Sequence, residues 1–318
     1  MKTITAREHE LIISVMGEGL TALAEAVIEK DLLITEVLRS VVAVDSDGIQ
    51  LVFCGGTCLS KAHGLIERMS EDIDFKLVLP QGLSRSARSR LLSQFKKHLA
   101  AVLVDAGFAV PAEQIIALDE NSYVSLNLHY ESRFAPVASL RSEIKLELNA
   151  RPPVLPTAPL PIASMLDVLI QAPRTDLHVE CIGVEETLAE KVLSFLRRTA
   201  EARAGRNRAD YDDRLVRHLY DVRAIARGRE GLALPHEHFA VMVTGDAVQY
   251  CNQYPEFEQD PVGQMRVVLD ALHHEADAFE RDYLQFVDEL VFGELVTFAE
   301  ARAVFIELAE SLIGQLKA

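Results

Sequence analysis

The chain has 318 residues, 49% hydrophobic and 25% charged, a composition near the globular average that excludes extensive disorder. Its formal net charge of −16 would repel nucleic acid if spread evenly, but residues 231–318 carry 16 Asp and Glu against four Lys and Arg, so the acidity belongs mostly to the C-terminal third. The four cysteines lack the spacing of a disulfide framework or a zinc site, and no run reaches the roughly 18 apolar residues that cross a bilayer, so a cytoplasmic protein without membrane contact is expected.

Residues 7–43 place apolar side chains at helical spacing and predict two N-terminal helices. The cluster Asp45-Ser46-Asp47-Gly48 then breaks the chain, and Ile49 to Cys54 is a short apolar run ended by Gly55-Gly56, the pattern of a buried strand entering a tight turn. A short helix is expected over Thr57 to Ile66. From Asp72 to Leu79 the residues alternate, with Ile73, Phe75, Leu77 and Leu79 on one face and Asp72, Asp74 and Lys76 on the other, which predicts a half-buried strand.

A helix follows over Ser84 to Gly107, basic in its first half, then alternating strands over Ser122 to Tyr130 and Ser142 to Asn149. Five prolines between Arg151 and Pro161 argue against regular structure there and mark a lobe boundary. Beyond residue 184 the pattern is helical, over Val184 to Arg203, Tyr211 to Ala226, His236 to Tyr250, Val262 to Leu284 and Val296 to Leu316. The expected organisation is a catalytic lobe with N-terminal helices over 1–160 and a mainly helical lobe over 161–318 that completes the active site.

The chemistry concentrates between residues 53 and 75. Glycines at a strand end let the backbone approach a phosphate, and the amides opening the next helix present positive partial charge to it. Two carboxylates two residues apart on a strand point the same way, about 6 to 7 Å apart along it, and can jointly hold divalent ions. Each half alone is weak evidence; in this order within one strand-helix-strand unit they point to phosphoryl-transfer chemistry.

The segment Gly55-Gly56-Thr57, Leu59, Lys61-Ala62, Arg68, Ser70, Asp72 and Asp74 resembles the first motif of the DNA polymerase β-like nucleotidyltransferases, and within them the AbiEii-type nucleotidyltransferase toxins. Cys58 departs from the serine usual there. Ile144-Lys145-Leu146-Glu147 resembles the strand that carries a third carboxylate. Glu185 to Lys191 resembles the helix with a Glu-Lys pair, and Arg217 to Val222 the Arg-Asp-Leu-Tyr-Asp-Leu signature.

The resemblance implies an α+β fold, with a nucleotidyltransferase-type mixed sheet, flanking helices and a helical C-terminal lobe. It implies Asp72, Asp74 and Glu147 as ligands of Mg²⁺, or of Mn²⁺ in its place, and Gly55, Gly56, Thr57, Cys58 and Lys61 as the nucleotide-binding set. Lys191 would contact phosphate and Asp221 would orient it. The residues themselves leave open that Glu147 pairs with Lys145 or Arg141, that Lys191 belongs to a surface ion pair, and that Asp221 pairs with Arg217 along a helix.

The co-substrate is then an NTP. Residues 197–229 hold ten arginines, no lysine and five acidic residues, and Arg85, Arg88, Arg90, Lys96 and Lys97 form a second basic run, so an RNA acceptor such as the tRNA 3′ end is expected. The resemblance adds a toxin–antitoxin setting and a cognate antitoxin. The alternatives are transfer to a small molecule of aminoglycoside type or to a protein hydroxyl, or a catalytically idle binding protein, against which Asp72, Asp74 and Lys191 count.

Overall fold

The computed structural model describes residues 1–137, 140–172, 176–206, 212–229, 232 and 235–316. It divides into two compact units, Met1–Ile182 and Gly183–Ala318. The dividing point lies past the proline-rich stretch at 151–161, because that stretch leads into two more strands of the first unit's sheet.

The first unit opens with α1 (Ala6–Gly17), whose start is fixed by a capping box. The Thr5 hydroxyl accepts the Glu8 amide at 3.2 Å and the Glu8 carboxylate accepts the Thr5 amide at 2.7 Å. Then come α2 (Glu25–Val42), β1 (Gln50–Cys54), α3 (Gly55–Lys61), β2 (Asp72–Val78), α4 (Arg85–Asp105), β3 (Ile116–Leu118), β4 (Tyr123–His129), β5 (Glu143–Asn149), β6 (Ala158–Pro161), α5 (Met165–Leu169) and β7 (His178–Cys181). Among the described residues these strands make one seven-stranded mixed sheet, ordered β3-β4-β5-β2-β1-β7-β6. The β2–β5 and β1–β7 pairs are parallel and the others antiparallel.

Alternation along the central strands sorts their residues. Phe53, Ile73, Phe75, Leu77, Val124, Leu126, Leu128, Ile144, Leu146 and Leu148 are buried, with the rings of Phe53 and Phe75 5.4 Å apart. Along α4, Leu92, Phe95, Leu99 and Leu103 are buried at three- and four-residue spacing, leaving the basic residues of its first half on the outer side.

Three sequence expectations change in this unit. The helix expected over 57–66 is α3, which begins at Gly55 itself and stops at Lys61, before Gly64 at φ +63°. The proline-rich stretch does contain a strand, β6, at the sheet edge, where a residue without an N–H leaves no central ladder bond unmade. The sequence reading also missed β3 and β7, too short to show a period of their own.

The helix α2 is buried nearly all round and takes three charged residues, Glu29, Lys30 and Asp31, into the interior. Each finds a partner, as buried charge requires. Glu29 accepts the Ser132 hydroxyl and, at 2.8 Å, the Arg133 amide; Lys30 pairs with Glu71; Asp31 pairs with Lys61 at 2.7 Å and accepts the Met165 amide at 2.6 Å.

The second unit is helical: α6 (Val184–Arg203), α7 (Arg217–Gly228) after a 3₁₀ turn at Asp213–Val216, α8 (His236–Gln249), α9 (Pro255–Gln259), α10 (Pro261–His274), α11 (Ala276–Leu290) and α12 (Phe298–Gly314). Phe195 of α6 packs on Phe305 of α12 and Phe279 of α11, and Tyr283 packs on Phe286 and Phe298. The single helix expected over Val262 to Leu284 is two, parted at Glu275 (φ −120°, ψ 38°) with no proline or glycine to announce the break. The expected start of α7's segment at Tyr211 lies outside the described residues. No helix of the described residues is long and apolar enough to cross a membrane.

Replacing Lys61 with Met should cost about 3 kcal/mol in urea unfolding, because it strands the buried Asp31 carboxylate. The double variant Lys61→Met, Asp31→Asn should recover part of that loss, whereas a surface pair would cost under about 1 kcal/mol in either background.

Candidate active site

The register of the central strands decides which polar side chains meet. In the parallel ladder of β2 with β5, Asp72 lies beside Lys145, Asp74 beside Glu147 and Lys76 beside Asn149. On the other side of β2, Asp74 is opposite Cys54 of β1; beyond β5, Glu147 is opposite Ser125 of β4. Since side chains alternate, Asp72, Asp74 and Glu147 all stand on the face opposite the apolar core, with neighbouring strands about 4.8 Å apart. The three carboxylates expected as metal ligands are thus neighbours on one surface.

Their charges are partly answered from within. Arg141 Nη1 donates to Asp72 Oδ1 at 2.5 Å. Lys145 lies 2.8 Å from Glu147 Oε1, which also accepts the Tyr123 hydroxyl. Burial, followed by the Glu147 carboxylate, pushes the Tyr123 phenol well up, so at neutral pH it is a donor. Among the described residues no three His, Cys, Asp or Glu are gathered into a ready-made metal cage. The donors on this face are carboxylate oxygens, which suit a hard divalent cation such as Mg²⁺ or Mn²⁺, an ion held by one or two carboxylates with substrate phosphates completing its shell. The residues fit that group.

The turn from β1 into α3 lies against this face. Gly55 sits at φ +76°, and a Cβ there would run into the Asp74 carboxylate, with its Cγ at 3.1 Å and its Cβ at 3.2 Å. The missing side chain is what allows Asp74 its place. At Gly56 a Cβ would come 2.7 Å from the Arg68 guanidinium and 2.9 Å from the Ser70 hydroxyl. Thr57 is buried, its hydroxyl bonded to Ser70 Oγ at 2.9 Å and to the Asp72 carbonyl, so its side chain ties α3 to the start of β2. Only its backbone remains a candidate for phosphate.

Two members of the expected nucleotide-binding set are corrected. The Cys58 side chain has no exposed surface and faces Cys181 and Cys54, where burial raises its thiol well above the ordinary range. The Lys61 ammonium turns inward to α2, bonded to the Asp31 carboxylate, the Asp31 carbonyl at 3.1 Å and Thr35 Oγ1 at 2.8 Å, and burial lowers its affinity for a proton. Both side chains are thus turned into the interior of the unit. Of the seven residues of α3, Gly55, Gly56 and Ser60 keep some exposure and the other four are buried.

In the second unit, Lys191 of α6 and Asp221 of α7 form a buried ion pair at 2.6 Å. His218, one turn before Asp221, is kept neutral chiefly by burial and then by the Lys191 charge. The arginine-rich segment behaves differently from the sequence expectation. Arg197 is buried against Glu201 and Asp246 with its guanidinium 3.7 Å over the Tyr250 ring; Arg198 pairs with Asp212, Arg203 with Glu275, Arg206 with Glu256, and Arg223 and Arg227 with Glu300. Much of its positive charge is answered by the acidic C-terminal helices, as a basic surface awaiting RNA would not be. Arg208 lies outside the described residues.

The sequence reading missed Tyr123 and the Arg141–Asp72 contact. Alternation assigned both strands' faces, but only the register shows which residues meet. Gly55→Ala should lower the melting temperature and cost about 1 to 3 kcal/mol through its left-handed φ, and should abolish transfer by displacing Asp74. Gly56→Ala must shift the buried Arg68 guanidinium and the Ser70 hydroxyl but carries no left-handed φ and leaves Asp74 in place, so it should keep measurable activity; equal loss in both variants would remove the special role of Gly55.

A model of the family described as "Nucleotidyl transferase AbiEii toxin, Type IV TA system" matches residues 36–304. No curated protein matches the chain. Among solved structures, MenT4, a nucleotidyltransferase toxin from Mycobacterium tuberculosis, is similar with a TM-score of 0.54 at 17% identity, over 99% of this chain and 91% of that one, a likeness of fold. With the family match spanning most of the sequence, the chain belongs to the AbiEii nucleotidyltransferase toxins of type IV toxin–antitoxin systems.

Proposed function

We propose that this enzyme transfers a nucleoside monophosphate from an NTP to an RNA hydroxyl, the 3′ end of tRNA being the acceptor, and that a cognate antitoxin restrains it. The observation that carries the chemistry is the placement of Asp72, Asp74 and Glu147 on one face of the sheet, with Gly55 clearing the space beside Asp74. In the reaction the acceptor oxygen attacks the α-phosphorus, the bond to the β-phosphate oxygen breaks, pyrophosphate leaves and the hydroxyl proton is lost. Asp72 and Asp74 would hold Mg²⁺, or Mn²⁺, and Glu147 would complete the set on the acceptor side. When bound, the divalent ion neutralises charge on the leaving pyrophosphate and makes the acceptor hydroxyl easier to deprotonate.

The backbone of Gly55, Gly56 and Thr57 receives the β- and γ-phosphates. Tyr123 and Lys145 hold the Glu147 carboxylate in place. Lys191, fixed by Asp221, would be a phosphate contact, as the resemblance implies. For the acceptor, support comes from α4, where Arg90 and Lys97 are exposed on the same unit as the carboxylates, beside Arg88, bonded to Ser122 and the Ala150 carbonyl, and Arg85, paired with Glu120. The paired arginines of 197–229 give less support.

Asp72→Asn and Asp74→Asn should each reduce transfer by at least about a hundredfold while melting within a few degrees of the wild type, since both lie on the solvent side of β2. Near-normal transfer by either would remove the carboxylate clamp. Asp221→Asn should reduce transfer beyond the fraction unfolded at the assay temperature, which must be measured alongside because the Lys191–Asp221 pair is buried.

The acceptor is tested with purified protein, labelled NTPs offered singly, and tRNA, total RNA or an aminoglycoside. Label should enter tRNA, and RNA binding should weaken about ten- to a thousandfold between about 50 and 200 mM salt if a few phosphates are contacted. The double variant Arg90→Glu, Lys97→Glu should flatten that dependence. Label entering only the aminoglycoside would overturn the RNA reading and leave the nucleotidyl chemistry standing.

A further inference from the structure

Arg141 stands just before β5, and its main chain is gripped from both sides by a buried ion pair. The side chains of Lys30 and Glu71 are 0% and 4% exposed and bonded to each other. The Glu71 carboxylate accepts the Arg141 amide at 2.8 Å, and the Lys30 ammonium donates to the Arg141 carbonyl at 2.7 Å. Few loop residues have both backbone polar groups held by buried charges, and the effect is to fix where the side chain starts. From there the guanidinium reaches Asp72 Oδ1 at 2.5 Å.

The two layers of this arrangement differ in permanence. Lys30 and Glu71 have no route to water, so neither can leave its partner without a large penalty. Arg141 and Asp72 are 31% and 22% exposed, and a partly solvated pair of that kind exchanges partners at small cost. Within β5, Lys145 pairs with Glu147 two residues on, so that carboxylate also carries a cation. The outer carboxylates of the face thus each carry a cation supplied by the chain itself. A divalent ion arriving at Asp72 competes with a guanidinium already there.

We infer that Arg141 is a positioning residue that neutralises Asp72 in the nucleotide-free protein and transfers its guanidinium to the triphosphate when cation and NTP bind together. The inference rests on the proposed role of Asp72 as a metal ligand. A cation alone must displace Arg141 from Asp72 and leave it only the Glu71 and Glu143 carboxylates, with which it makes no side-chain hydrogen bond. A cation with NTP brings the replacement anion, and a planar guanidinium suits phosphate as well as carboxylate. Metal and nucleotide are therefore positively coupled, each raising the affinity for the other by the same factor, and Arg141 adds to the coupling that phosphate ligation of the ion supplies.

The test is Mn²⁺ binding to the full-length protein by titration calorimetry, with and without α,β-methylene analogues of the four NTPs. Wild-type protein should bind Mn²⁺ about tenfold more tightly with its preferred analogue present. Arg141→Gln should bind Mn²⁺ alone about five- to tenfold more tightly than wild type, within the range of contact coupling energies, and should show coupling about two- to threefold weaker than wild type. Arg141→Lys keeps the charge and both main-chain bonds; it secures the test against a folding defect in the Gln variant and should bind Mn²⁺ alone about two- to threefold more tightly.

Mn²⁺ affinity at or below the wild-type value in the variants, with coupling intact, would overturn the inference, since a guanidinium that merely orients Asp72 for the metal predicts weaker binding on its removal. Asp72→Asn separates the two levels. It should lower Mn²⁺ affinity at least about tenfold, and unchanged affinity there would refute the metal role of Asp72 whatever Arg141 does.

Discussion

The parallel register that sets Asp74 beside Glu147 is the constraint on which the proposed catalytic face depends. Side chains on a strand alternate with period two, so a slip of one residue in β5 would carry Glu147 into the core and bring Leu146 or Leu148 out. What holds the register is the apolar side of the same strands. Ile73, Phe75 and Leu77 of β2 and Ile144, Leu146 and Leu148 of β5 are all buried at 1% exposure or less, and a shifted strand would expose one set while burying charge from the other. The chemistry on one face is specified by the hydrophobicity of the other.

Charge carried into the interior gives the first unit a second layer of definition. Through Glu29, Lys30 and Asp31, α2 reaches the segment around Ser132 and Arg133, the main chain at Arg141, and the end of α3 at Lys61. Such pairs add little net stability relative to apolar packing, but losing one partner is costly, so they discriminate against arrangements in which the segments fail to meet. Two of these segments flank the catalytic face: α3 begins with the glycines that admit Asp74, and Arg141 leads to Asp72.

The second unit resolves an apparent conflict in composition. Ten arginines in one segment and a strongly acidic C-terminal third look, in linear order, like two surfaces of opposite sign. In the fold they largely meet. Glu275 on Arg203, Glu256 on Arg206 and Glu300 on Arg223 and Arg227 join the arginine segment to α9, α11, α12 and the residues that open them. A guanidinium engaged by a carboxylate must lose that partner before it can hold a phosphate, which lowers the worth of these residues as an RNA surface relative to the exposed basic half of α4.

The linear order of residues determined a good deal. Period-two alternation identified β2, β4 and β5 and the face of each, the helical stripes located α4, α6 and α8, and glycines followed at fixed spacing by Asp72 and Asp74 identified the family's chemistry. These are local properties, readable wherever a side chain's role follows from its near neighbours in the chain. Lys61 and Cys58 were misassigned because a motif gives proximity along the chain and not direction, and packing α3 between α2 and the sheet turned both side chains inward. Pro159 and Pro161 could enter a strand because their strand took the sheet's edge, a position set by the whole topology. Arg141 on Asp72, Tyr123 on Glu147 and the neutralised arginines are long-range pairings, and nothing local distinguishes a charged residue that will meet water from one that will meet a distant carboxylate. Only the tertiary structure decided those, because the free energy that selects a buried or shared partner arises from desolvation and register, which exist only once the chain has folded.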